Sequence, residues 1–358
     1  MGNTDGRFPI DQGFDEYYGI PNTSNEAFPS QKVIDSSEGY FKSILEGKKG
    51  EKVHVVKEYN EETRREIDNE IIDKTIDFIQ RNVKAHKPFY AYVPLTEVHY
   101  PTIPSRKFAG KTGNGDWADV LAQIDYNIGQ LLDEMDNLKI ADNTIFVFTS
   151  DNGAEDVYPW RGWAGPWSGT YNTAMEGSLR TPFIIRWPGK VPANRVSNEI
   201  VHVVDIFPTL AKFTGAKVPT DRAIDGVDQS DFFLGKQSNS NRTGFPIYYG
   251  ADLFAVKYKN YKIHYYWKKY RADTPEKLTE PRVFNLYTNP QERFDGISYD
   301  FLKRVAPLEA AQLENDIKKD DSMAISEAAK IVDTFQKSLE KYPVIPQFAP
   351  DPYVPNYK

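Results

Sequence analysis

The sequence predicts an α/β protein, with a mainly parallel sheet sandwiched by helices and then a smaller antiparallel sheet with its own helix. Three observations predict it. Between residues 60 and 189, long amphipathic stretches alternate with short apolar runs, the spacing that builds βαβ units and a parallel sheet covered on both faces. Beyond about residue 242 the runs become short, Tyr-rich and separated by tight polar turns, the pattern of antiparallel hairpins. Helical periodicity then returns before a Pro-rich end. Together these divide the chain into an α/β domain over 1–244 and an antiparallel-sheet subdomain with a Pro-rich tail over 245–358.

Taken in order, residues 1 to about 30 are rich in Gly, Pro, Asn and Asp and show no period, so they read as loop. Residues 60–86 place Ile67, Ile71, Ile72, Ile76, Phe78, Ile79 and Val83 near a 3.6-residue repeat, which predicts an amphipathic helix. "PFYAYVPL" (88–95) follows as a short buried strand opened by Pro88. A second helix over about 115–138 gathers Val120, Leu121, Ile124, Ile128, Leu131, Leu132 and Met135 on one face and leads into the strand "TIFVFTS". "TPFIIRWPG" (181–189) reads as another buried strand, and "HVVDIFPTLAKFTG" opens another helix. "FPIYYG", "LFAVKYKN", "YKIHYYWKK" and "RVFNLYTN" supply the antiparallel strands. A helix near 323–341 precedes the extended arm "YPVIPQFAPDPYVP".

Composition narrows the function. A net charge of -7 with no basic tail or stripe argues against a nucleic-acid partner, which needs cationic patches on phosphates. No apolar run approaches the roughly 18 residues of a membrane span, and "MGNTDGRFPI" has no apolar signal core. Gly6 also fails the Ser/Thr requirement of a myristoylation pattern. With no Cys there is no disulfide, thiolate metal site or Cys nucleophile. Aromatic content of 14% fits either a cleft that handles rings or sugars, or a Tyr-rich core.

Ligands of open sheets gather beyond strand ends. "FVFTSDNGAE" puts Asp151, Asn152 and Gly153 at such an end. A carboxylate and an amide carbonyl are hard oxygen donors suited to Ca²⁺ or Mg²⁺, while Asp-Asn-Gly is equally a common polar turn. His99 precedes Pro101 and so sits in an extended loop at the preceding strand end. It is either a hydrogen-bonded structural residue or a proton donor working near neutral pH.

Consecutive segments resemble one family. "GFDEYYGI" (13–20), "VHYPTIPSRKFAGKTGNGDWADVLAQIDYNIGQLL" (98–132), "NTIFVFTSDNGAE" (143–155), "MEGSLRTPFIIRWPGKVP" (175–192), "VDIFPTL" (204–210) and "VFNLYTNPQE" (283–292) resemble, in the same order, landmarks of the arylsulfatases within the alkaline-phosphatase-like superfamily. The resemblance implies an incomplete alkaline-phosphatase-like fold and a sulfuric ester hydrolase using Ca²⁺, with Mg²⁺ as the alternative. It matches Asp151 and Asn152 to two of four metal ligands and His99 to the His that contacts the sulfate and assists the leaving group. Glu176 and Arg180 match an "EGxxR" segment and read as an internal pair shaping the loop. The family's nucleophile is a formylglycine made from Cys or Ser, and family members are often periplasmic or extracellular.

Two departures qualify the match. The aspartate pair, the Cys/Ser-x-Pro-x-Arg nucleophile segment and the Lys/His sulfate-gripping segment do not occur before residue 13. "TIPSRK" (102–107) imitates the nucleophile motif with Thr102, whose oxidation would give a ketone, so it is expected to be a coincidence. Where many sulfatases carry a sulfate-contacting Lys, this chain has Tyr171, and no Lys occurs between Lys139 and Lys190. That anchor is then either absent or replaced, as a substrate-binding residue, by Tyr171 or Arg161. The chain reads as the C-terminal portion of a sulfatase, inactive alone and expected either to aggregate or to require an N-terminal complementing fragment, with a sulfated small molecule or glycan as substrate. Two rivals remain at this stage: a phosphoester hydrolase of the same superfamily, and a non-catalytic glycan-binding or assembly subunit using the aromatic-rich 158–171 region.

Overall fold

The structure, a computed structural model, describes residues 3–30, 40–293 and 302–343. The chain divides into two units, Met1–Thr144 with Glu155–Gly162, and Ile145–Ala154 with Trp163–Lys358.

In the first unit, strands β1 (Glu16–Gly19), β2 (Ser43–Lys48) and β3 (His54–Glu58) form an antiparallel meander. Thus the stretch expected as loop through residue 30 contains a strand, and 43–58, to which the sequence assigns no element, contains two. Helix α1 (Glu61–Lys84) begins at Asn60, whose side chain accepts the N–H groups of Glu62 and Thr63 while the Thr63 hydroxyl accepts the N–H of Asn60, a reciprocal cap. Ile67 and Ile71 bury against Ala27, Ile44 and Tyr59, as the 3.6 period requires. Val93 and Leu95 pack on that cluster, yet residues 88–95 join no ladder among the described residues. Tyr90 and Tyr92 stand 61% and 60% exposed. The expected buried strand is therefore corrected to a segment covered on one face only.

Helix α2 (Asp116–Asn137) buries Val120, Leu131 and Met135 as expected. Leu121 is exposed, and Asp119, Gln123 and Asn127 are buried instead. These follow one another at i, i+4 and i+8, one face of the helix, and that face is polar. A two-residue hairpin, Asp156–Val157 with Trp160–Arg161, completes the unit.

In the second unit, β4 (Phe146–Thr149) pairs antiparallel with β5 (Phe183–Arg186), Phe146 opposite Arg186. Between them the chain makes the 156–161 hairpin and a four-residue helical turn, α3 (Glu176–Leu179), and so has no crossover helix of the kind parallel neighbours need. All ladders among the described residues are antiparallel; the α/β class stands. Helix α4 (Ile206–Thr214) forms as expected, ending at the left-handed Gly215.

The C-terminal sheet orders β9–β8–β7–β6, from β6 (Gly244–Tyr249), β7 (Asp252–Tyr258), β8 (Tyr261–Trp267) and β9 (Glu276–Asn285). Helix α5 (Pro307–Lys341) covers one face through Ala324 and Ala328 on Val256, Tyr261 and Ile263. The helix starts earlier than its apolar period suggests, because 307–322 is built of strong helix formers with almost no buried face. No helix among the described residues is long and apolar enough to cross a membrane. The Pro-rich arm lies outside the described residues.

Candidate functional site

In the first unit, the loop carrying His99 hangs from both helices. Asp68 of α1 accepts the Thr96 N–H and hydroxyl, each at 2.6 Å, and pairs with Arg64 at 3.2 Å. Arg64 in turn donates to the carbonyls of Thr96 (2.8 Å) and His99 (3.3 Å). From α2, Asn127 donates to Glu97 at 3.0 Å, Gln123 accepts the Ser105 N–H at 2.8 Å, and Asp119 accepts the N–H groups of Gly110 and Thr112. The buried polar face of α2 thus sets the loop's path. Burial, and the Asp68 carboxylate beside it, push Glu97 up to about 9, which favours its protonated form.

His99 is half-buried, its ring stacked on Tyr100 at 4.7 Å. Its Nδ1 lies 2.6 Å from the Tyr100 carbonyl. A carbonyl only accepts, so Nδ1 carries a proton and Nε2 is the nitrogen left for proton exchange. Thr102 is fully buried, which removes it as an attacking group.

In the second unit, Asp151 and Asn152 leave β4 side by side. Asp151 is exposed, and its Oδ1 accepts the Asn152 N–H at 2.9 Å, leaving Oδ2 open. Asn152 Nδ2 donates to the Gly153 carbonyl at 2.9 Å, which leaves the amide oxygen as its acceptor. Gly153 donates to the Ser178 carbonyl at 2.8 Å. A Cβ on Gly153 would stand 1.9 Å from the Gly177 oxygen; close approach of two backbones, rather than the turn inferred from sequence, requires glycine here. The donor chemistry fits Ca²⁺ or Mg²⁺, and the pair supplies two of the six or more oxygens such ions take. No group of three or more His, Cys, Asp or Glu suited to a metal occurs among the described residues.

The α3 turn that holds Gly153 is itself held by charge. Glu176 and Arg180 pair at 2.6 Å. Lys257 reaches the same Glu176 oxygen at 2.9 Å, and Lys262 reaches the other at 2.8 Å and the Ala174 carbonyl at 2.8 Å. Burial alone would raise Glu176, but Lys262, Lys257 and Arg180 outweigh it and hold the carboxyl far below its usual range. Burial draws Lys257 down to about 8 in spite of Glu176. Glu292 accepts the Glu176 N–H at 2.8 Å and meets His264 Nε2 at 2.7 Å; burial lowers the His264 pKa. Sequence reasoning missed Lys257, Lys262, His264 and Glu292. The available signal was alternation: Lys257, and Lys262 with His264, face away from Val256, Tyr261 and Ile263 on otherwise apolar strands.

The two expected substrate contacts fall in different units. Arg161, in the first, is ion-paired to Asp156 across the short hairpin. Tyr171, in the second, donates its N–H to the Ala154 carbonyl at 2.9 Å and lies beneath the Arg271 guanidinium at 5.5 Å.

Comparison with known proteins completes the picture. The sulfatase family model matches residues 7–216, and one described as N-sulphoglucosamine sulphohydrolase, C-terminal, matches 171–310. An N-acetylgalactosamine-6-sulfatase of Canis lupus familiaris is 32% identical over 338 residues, covering 84% of this chain and 62% of that protein. The steryl-sulfatase of Homo sapiens is 36% identical over 199 residues, 54% of this chain and 34% of its own length. The crystal structure of PsFucS1 sulfatase from Pseudoalteromonas sp. superposes with a TM-score of 0.81 at 25% identity, covering 96% of this chain and 70% of that one. The chain thus spans less than two thirds of the length of these curated relatives.

Proposed function

The chain belongs to the sulfatase family, and on that premise we propose that it acts in the metal-dependent hydrolysis of the sulfate ester of a saccharide. The observation that supports this reading best is the Asp151–Asn152 oxygen pair, fixed at the end of β4 by the lock of Gly153 onto the 177–178 backbone. In it Asp151 and Asn152 are two ligands of a Ca²⁺ ion, with Mg²⁺ as the alternative. When bound, the ion supplies positive charge that offsets the charge growing on the sulfuryl oxygens. His99 passes a proton from Nε2 to the leaving sugar oxygen, its ring held by the Nδ1 contact to Tyr100. Tyr171 or Arg161 takes the place of the sulfate-contacting Lys. The N-acetylgalactosamine-6-sulfatase among the relatives favours a sulfated amino sugar as substrate.

The 358 residues contain neither Cys nor a Ser-x-Pro-x-Arg segment, so the attacking formylglycine is proposed to come from a complementing segment, and the chain alone to be inactive. The test measures sulfate released from N-acetylgalactosamine 6-sulfate by the chain, with and without Ca²⁺ and a polypeptide carrying the modified Cys-x-Pro-x-Arg segment. Release is expected only with both present, and is expected to fall at least about 100-fold in His99→Ala and Asp151→Ala. Release by the chain alone, in proportion to its concentration, would overturn the dependence on a complementing segment.

A further inference from the structure

A cavity of about 230 Å³ opens in the first unit between the start of α2 and the 156–161 hairpin. Trp117 and Trp160 contribute apolar walls, and Asn114, Asp116 and Arg161 contribute polar groups. Gly115 leaves its floor bare, with open space where a Cβ would stand. Three of the lining residues are held by contacts outside the cavity. Trp160 is backed by Phe28 at 5.3 Å between ring centres. Arg161 is fixed by Asp156. Asn114 Nδ2 is spent on the Thr112 carbonyl at 3.2 Å, leaving Oδ1 as an acceptor.

The chemistry of this lining selects a ligand class. The volume lies below the roughly 300–1,000 Å³ of sites for drug-sized molecules, which suits one ring rather than a chain of them. Indole walls suit a flat apolar face. A guanidinium donor opposite carboxylate and amide acceptors suits a ligand whose edge presents hydroxyls, each both donor and acceptor. A compact inorganic anion is disfavoured, because the Asp116 carboxylate in the lining would oppose it. A pyranose ring has this combination of apolar faces and hydroxyl edge. We propose that the cavity is a subsite for a single sugar ring of an oligosaccharide, with Trp117 and Trp160 as stacking walls and Asn114, Asp116 and Arg161 as hydroxyl partners. The proposal rests on the sulfated-saccharide reading for its choice of sugar and adds that the ligand is longer than one residue.

The test titrates the full chain with a tetrasaccharide containing N-acetylgalactosamine 6-sulfate and with the same tetrasaccharide desulfated, following tryptophan fluorescence and calorimetric heat. Both are expected to bind. Trp117→Ala and Trp160→Ala should each raise Kd about tenfold and Asn114→Ala about threefold, while Trp163→Ala, an exposed indole outside the cavity, should change nothing. Trp160→Phe keeps a ring on Phe28 and should recover most of the affinity, which separates stacking from misfolding. Binding unaffected by both cavity tryptophans, or no binding of either sugar, would overturn the proposal. Tryptophan-dependent binding of the desulfated sugar with no sulfate release in the complemented assay would keep the subsite and remove the sulfatase reading.

Discussion

At Gly153, the atoms that a new Cβ would meet are all backbone: the Gly177 oxygen at 1.9 Å, and the Gly177 and Ser178 carbonyl carbons at 2.8 Å. Backbone cannot rotate aside as a flexible side chain does, so Gly153→Ala must move either the Asp151–Asn152 pair or the α3 turn. A loss of about 3 kcal/mol is expected from urea unfolding, at the upper end for overpacking. Gly129→Ala is the control. It lies inside α2 with nothing within 4 Å, and there alanine should stabilise by up to about 1 kcal/mol. Equal effects at the two glycines would remove the claim that 153 is sterically locked. The sequence made the Asp-Asn-Gly signal legible through its place after an apolar run, but the reason for the glycine was not legible. It depends on residues 177 and 178, which only folding brings alongside.

Among the elements, sequence patterning reads apolar faces well and polar ones poorly. The period in 60–86 located α1 and its buried Ile67 and Ile71, whereas α2 fixes the His99 loop through Asp119, Gln123 and Asn127, which score as solvent-facing. The C-terminal sheet shows the same bias. Its face against α5 was legible from Val256, Tyr261 and Ile263, while Lys257, Lys262 and His264 on the other face were not, because buried lysines require a partner from elsewhere in the chain. That partner, Glu176, lies more than eighty residues away in sequence. Glu176→Gln leaves both lysines buried without a counter-charge, so a loss of about 3–5 kcal/mol is expected at pH 7. The sign with pH is fixed by the depressed Glu176 pKa. A carboxyl held below 4.5 contributes stability that is fully present above its unfolded value and is lost as pH falls below about 4.5 toward the folded one. Wild type and Glu176→Gln should therefore converge in Tm as pH falls from 5 toward 2. A gap that stays constant through that range would show that packing, rather than charge, holds α3.

For the whole chain, family and class were legible because ordered motifs survive across residues 7–216; the pairing of strands was not. An apolar run such as 88–95 states that a strand wants cover but not which strand supplies it. The structure leaves that run without a ladder, with Val93 and Leu95 against the core and Tyr90 and Tyr92 outward. Unpaired backbone beside two exposed rings is a template for another strand. Association that grows with concentration is therefore expected in sedimentation velocity over about 1–100 μM, the range in which such surfaces self-associate. Tyr92 is exposed, whereas the Tyr90 ring also lies against Phe14 at 6.1 Å between ring centres, so the variant Tyr92→Lys should keep its unfolding free energy within about 0.5 kcal/mol. It should also shift toward the monomer, since charge on an open edge opposes pairing. If wild type and variant sediment alike at every concentration, the 88–95 edge is not the seam, and exposed apolar residues in the second unit, Ile184 and Phe207 among them, become the surface to substitute next.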